Sequence, residues 1–86
     1  MYLHLGQDVV VPSRTIVGIF DIENTSISKI TKEFLGIEEK LHHVINVSME
    51  LPKSFVICRE KGENVVYISQ ISCATLKKRA AAGNGD

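Results

Sequence analysis

A chain of 86 residues makes one domain, and a domain of that size removes only about 60% of its unfolded surface from water, so its own core is thin. Yet 44% of the residues are apolar and several segments read as apolar on both faces, so burial against copies of itself is expected. Ten basic and ten acidic residues cancel, which excludes the global cationic field of a strongly basic nucleic-acid binder and leaves only local basic surface.

In chain order, Tyr2-Leu3-His4-Leu5 alternates with a period of two, Gly6-Gln7-Asp8 supplies turn chemistry, and Val9-Val10-Val11-Pro12 is β-branched. These features predict an opening hairpin. After Pro12-Ser13-Arg14, the stretch from Thr15 to Ile22 is apolar on both faces, as expected of a strand covered on both sides. Gly18 within it suggests close approach of another backbone.

Asn24 or Thr25 is a candidate helix cap, and Ile27, Ile30, Phe34, Ile37 and Leu41 follow a helical stripe that leaves Lys29, Lys32 and Glu33 mostly outside. Gly36 would cost about 1 kcal/mol relative to Ala inside that helix, so the helix either runs through it or stops and restarts. From Val44 the period returns to two. Val44–Val47 and Ser54–Cys58 read as strands separated by a turn at Glu50-Leu51-Pro52-Lys53. Lys61-Gly62-Glu63-Asn64 reads as a hairpin loop leading into a strand at Val65–Ser69. Ser72 is placed to cap a short helix through Thr75, Leu76 and Arg79, and residues 80–86 form a tail expected to fray. The fold class is therefore α+β: a small single domain over residues 1–79, mostly antiparallel sheet, in the order β-β-β-α-β-β-β-α.

Catalytic constellations do not assemble. There is no glycine-rich phosphate loop, no G-x-S-x-G, and no Cys with a clear His and Asn or Asp context, so no enzyme is expected. His4, His42, His43, Cys58 and Cys73 are ligand types for zinc, but adjacent histidines point apart and no ligand spacing links them, so no metal and no cofactor are expected. Asp21 and Glu23 could form a paired-carboxylate site, but at a strand-to-helix junction they fit the positive helix N-terminus better. The two cysteines, separated by fourteen residues with no CxxC, fit reduced thiols in a cytosolic protein, and more as small hydrophobes than as nucleophiles. Met1-Tyr2-Leu3-His4 lacks the positive and long apolar regions of a signal peptide or membrane span.

The basic residues are the candidates for binding. Arg14 follows Pro12-Ser13 in a tight connection, where a guanidinium on a short rigid loop reaches a phosphate at little entropy cost. Lys53 sits beside Pro52 in another loop, and Lys29 with Lys32 lie on the exposed side of the first helix. The bland alternative for each is a solvated surface charge. Only convergence of several onto one surface, multiplied by oligomerisation, makes a site.

Several stretches resemble a known family: Met1-Tyr2-Leu3-His4-Leu5-Gly6, Asp8-Val9-Val10-Val11, Ile16-Val17-Gly18-Ile19-Phe20-Asp21, residues 28–35, Leu51-Pro52-Lys53-Ser54-Phe55-Val56, Val66-Tyr67-Ile68-Ser69 and Ser72 with Thr75–Arg79. Together they span roughly residues 1 to 79 and resemble the RemA/RemB family of extracellular-matrix (biofilm) regulators, most nearly its RemB branch. The resemblance implies a cytoplasmic, nucleoid-associated transcriptional regulator that binds double-stranded DNA through rings of about seven or eight subunits, closed by head-to-tail contacts. In the RemA branch an arginine in the loop after the second strand contacts DNA, and Arg14 stands in the matching place. That branch also uses adjacent arginines in the loop before a later strand. Here the loop reads Glu50-Leu51-Pro52-Lys53 and keeps only the charge of Lys53. The leading expectation is thus a ring that contacts phosphates through Arg14 and Lys53, with Lys29 and Lys32 contributing less. The alternative is a ring-forming protein-interaction or scaffold module with weak or no DNA binding, favoured by the Leu51-Pro52 replacement.

Overall fold

The computed structural model describes residues 1–22, 33, 36–37 and 43–82. Alternation of side chains across a strand explains the opening hairpin, β1 (Tyr2–Gly6) and β2 (Val9–Pro12), paired antiparallel as a two-stranded sheet. Leu3, Leu5 and Val11 face inward and are buried, while Tyr2 and Val10 face out. The connection turns tightly because Gly6 adopts φ +122° and Gln7 φ +47°. The first of these φ values disfavours any side chain at Gly6, and a Cβ there would also displace the Gln70 amide, 2.8 Å away.

One turn of 3-10 helix, Ser13–Thr15, links the hairpin to β3 (Ile16–Asp21). Then follow β4 (Val44–Asn46), β5 (Ser54–Glu60), β6 (Glu63–Ser69) and α1 (Cys73–Ala82). The second sheet has the order β3-β5-β6-β4, antiparallel except for the parallel pair of β4 and β6. Since β3 and β4 sit on opposite edges and run the same way, the chain between them must cross the sheet, which takes a dozen or more residues. The expected main helix falls in the sequence between these two strands. Glu33, Gly36 and Ile37 are helical and exposed, and the rest of it, with both proposed caps, Lys29 and Lys32, lies outside the described residues.

The core lies between the hairpin and one face of the larger sheet, where Leu3, Leu5, Val11, Val47, Val56 and Cys58 meet Leu76 of α1. On the other face Phe20 stacks on its register partner Phe55, with ring centroids 5.0 Å apart, and Phe55 and Val66 are buried. Ser54 and Ser69, opposite each other in the β5–β6 pair, are buried with their hydroxyls donating to Ile71 O and Leu5 O at 2.7 Å. The second of these bonds ties the two sheets together.

Several expectations are corrected. The segment from Ile16 to Asp21 is an edge strand: Ile16 and Ile19 pack against the core and Phe20 against Phe55 on the other face, but a bulge at Val17 leaves this valine 63% exposed. Gly18 makes room for a ring and not for a backbone: its absent Cβ would lie 2.6 Å from Phe20. The second hairpin is tighter than expected. Only Lys61 and Gly62 form the loop, and Glu63 and Asn64 are already paired with Glu60 and Arg59. Ser72 does cap α1, its Oγ accepting from Thr75 N at 3.2 Å. That helix continues through Ala80, Ala81 and Ala82, because alanine is the best helix former and needs no packing to extend an exposed turn.

Candidate nucleic-acid interface

Arg14 sits in the 3-10 turn, whose backbone is fixed from both sides. Thr15 Oγ1 donates to Pro12 O at 2.7 Å, and Ser13 N donates to Met1 O at 2.9 Å. The Arg14 side chain is exposed, and no hydrogen bond or ion pair holds it among the described residues. It borders an open cleft of about 600 Å³ lined by Thr15, Arg59, Glu60, Lys61, Glu63 and Val65. Antiparallel pairing of β3 with β5 produces this neighbourhood: Ile16 lies opposite Cys58, which brings the preceding turn alongside the end of β5 and the β5–β6 loop.

Lys53 is positioned as firmly, though elsewhere. Its N–H donates to Ser69 O at 2.9 Å and its carbonyl accepts from Ile22 N at 3.1 Å, leaving the side chain exposed just before β5 begins. Arg14 and Lys53 therefore stand at opposite ends of β5, separated by roughly 20 Å at about 3.3 Å per residue over its seven residues. One subunit does not bring the two together. The loop beside Lys53 is apolar and open, with Met49 and Leu51 almost fully exposed.

Arg59 and Lys61 are the cations that reading along the sequence passed over. The Lys61-Gly62 turn was the available signal, but only the register of β3 on β5 shows that this turn meets Arg14. Of the terminal basic cluster, Lys77 and Lys78 are exposed, while Arg79 is structural: its Nη1 donates to His4 O at 3.3 Å and holds α1 against β1.

The sulfur and imidazole groups do not converge. Burial pushes the Cys58 thiol above its ordinary pKa of 9.0, with the Glu60 charge adding to this and a hydrogen bond with Thr15 opposing it. Cys73 points its sulfur at Ile19 O, 3.6 Å away. Among the described residues no three His, Cys, Asp or Glu side chains are placed to hold a metal ion, and no helix is long and apolar enough to cross a membrane. His42 and Glu23 lie outside the described residues.

This small β-rich domain, carrying an arginine on the turn between its second and third strands, matches a family model described as RemA-like, extracellular matrix regulatory protein A-like, over residues 2–80. The chain belongs to that family. It is 44% identical over 80 residues to extracellular matrix regulatory protein B of Bacillus subtilis (strain 168), an alignment covering 93% of this chain and 90% of the relative. The match spans both sheets and α1 up to Ala80, so the family pattern includes the Arg14 turn, the Lys53 loop and the β5–β6 hairpin.

Proposed function

We propose that this extracellular matrix regulator is a DNA-binding transcriptional regulator of matrix genes, acting in the cytoplasm at the nucleoid as a ring-shaped homo-oligomer, with Arg14 as its main phosphate contact. The observation that carries the reading is the state of Arg14: an exposed guanidinium without a protein partner among the described residues, on a turn fixed by two hydrogen bonds. Such a group loses little freedom on meeting a phosphate and contributes position, not base readout. Lys53 stands second, on the opposite end of the sheet, and Lys29 and Lys32 are weaker contributors. Oligomerisation is favoured by apolar surface at the sheet edges, where Val17 on β3 and Ile45 on β4 are exposed, and by Val10 on the outer side of the hairpin. A ring repeats one arginine many times, which a chain of zero formal net charge requires for strong binding.

The test is a gel shift across a salt series with the wild type and Arg14→Ala, both sized by light scattering. The wild-type oligomer should bind duplexes with little sequence preference and lose affinity steeply with salt, by about 0.9 in log–log slope per phosphate contact. Arg14→Ala should bind much more weakly at unchanged oligomer size. Equal affinities remove Arg14 from the site, and a wild-type monomer at micromolar concentration removes the ring. The exposed Met49 and Leu51 favour a second reading, a protein-contact scaffold, which a wild type that binds no DNA even at low salt would select.

A further inference from the structure

The cleft beside Arg14 contains more than that reading uses. Two more cations, Arg59 and Lys61, reach it from the β5–β6 hairpin, together with the carboxylates of Glu60 and Glu63. Lys61 occupies an uncomfortable place. With φ +51° at Lys61 and φ +82° at Gly62, the loop is a two-residue turn with both residues left-handed, a conformation that Asn, Asp and Gly adopt readily and lysine does not. The Lys61 side chain is exposed and makes no hydrogen bond or ion pair among the described residues, so nothing in the fold rewards a lysine there. A strained residue kept without a structural return is a sign of use. Arg59 is held differently. Its Nη1 donates to Oδ1 of Asn64, its register partner, at 3.2 Å, which fixes the guanidinium and leaves its other N–H groups unspent.

We propose that the β5–β6 hairpin is a second phosphate-contacting element, with Arg59 and Lys61 engaging the nucleic-acid backbone beside Arg14 while Glu60 and Glu63 hold the affinity down. The inference rests on the DNA-binding reading of the Arg14 cleft. Three cations drawn from two elements flank one opening, so a backbone following the cleft meets successive charges and not a single point. The glutamates are register partners facing each other across the same turn. Their carboxylates repel a phosphate that approaches the cations, which makes each contact weak and quickly broken. Repetition around an oligomer restores the total affinity while keeping the contact sensitive to salt.

The experiment is fluorescence anisotropy of a labelled duplex over a fourfold range of salt, with the full-length wild type, Lys61→Asn, Lys61→Arg, Arg59→Gln and the double variant Glu60→Gln/Glu63→Gln, all sized first. Lys61→Asn carries the decisive pair of readouts. It should raise the urea midpoint, because asparagine suits the turn, and yet weaken binding, with the log–log salt slope shallower by about 0.9 for each phosphate no longer neutralised, or about 3.5-fold in affinity over that range. Arg59→Gln should flatten the slope similarly, Lys61→Arg should bind like the wild type, and the double glutamine variant should bind more tightly. If the wild type binds and the Lys61→Asn and Arg59→Gln variants match it in affinity and slope, the hairpin does not touch the duplex and the Arg14 reading survives alone. If the wild type binds no duplex at the lowest salt, the DNA-binding reading and this inference fall together.

Discussion

Gly18→Ala tests the packing of the outer face of the larger sheet. A Cβ built at Gly18 lies 2.6 Å from both Cε2 and Cζ of Phe20. Carbon atoms rest at about 3.5 to 4.0 Å, so the ring must retreat by roughly 1 Å. Retreat toward the sheet is blocked, since the ring stacks on Phe55 at an interplanar angle of 17° and Phe55 is only 3% exposed, so moving outward breaks the ring pair. Overpacking of this kind costs about 1–3 kcal/mol, and losing the ring pair adds about 0.5–1.5 kcal/mol. Replacing a strand glycine by alanine returns about 0.5–1 kcal/mol through lower unfolded-state entropy. The net expectation is a destabilisation of about 1–3 kcal/mol, read by urea denaturation at one fixed protein concentration, because association would shift the midpoint. The decisive comparison repeats the substitution in a Phe20→Ala background, where the obstruction is gone and alanine at 18 should be neutral or slightly stabilising. A neutral effect in the wild type, or the same loss in both backgrounds, would refute the assignment of Gly18 to ring clearance.

Two further outcomes follow from the structure. Ser72→Ala removes the oxygen that accepts from Thr75 N and meets Thr75 Oγ1 at 2.9 Å, so it should cost about 1 kcal/mol and speed amide exchange in the first turn of α1, as hydrogen–deuterium exchange would report. Burial raises the Cys58 thiol above 9.0 and, more than the nearby Cys58 and Glu60 charges, raises the Tyr67 phenol above 10.0. With folded values above unfolded ones, the stability they confer is intact below about pH 9 and is lost as pH rises through the folded values. Urea midpoints from about pH 7.5 to about pH 10.5 should therefore fall above about pH 9, and less steeply for Cys58→Ala; an unchanged slope in that variant would clear the thiol of any part in it.

Much of the fold was legible because it is written in short-range patterns. Period-two alternation at β1 and β5, a β-branched run at β2 and the turn residues before β6 located the arms of both hairpins, and Ser72 announced α1 as a helix cap. Boundaries slipped where local signals were weak. Glu63 and Asn64 look like loop residues, but pairing with Glu60 and Arg59 draws them into β6. The bulge at Val17 and the parallel pairing of β4 with β6 were not legible at all, since each depends on which strands become neighbours and no local residue type encodes that. Gly18 shows the same limit: its glycine was recognised as a sign of close approach, while the approaching group lies two residues along its own strand.

The candidate site divides along the same line. Arg14 was legible because Pro12-Ser13 marks a short connection, and a cation in such a connection stands out by itself. Lys53 was legible for the same reason, yet the two were joined by similarity of context and not by position, and seven residues of β5 separate them. That separation bears on the contact with a duplex proposed above. A backbone following the Arg14 end finds Arg59 and Lys61 in the same cleft, whereas one at the Lys53 end finds the exposed side chains of Met49 and Leu51 and the carboxylate of Glu50. Phosphates are drawn by clustered, partly pre-oriented cations, and apolar side chains left in water are better covered by protein. On the proposed DNA-binding reading, the Arg14 end therefore offers the denser set of cations and Lys53, among exposed apolar side chains at the other end of β5, the weaker contact.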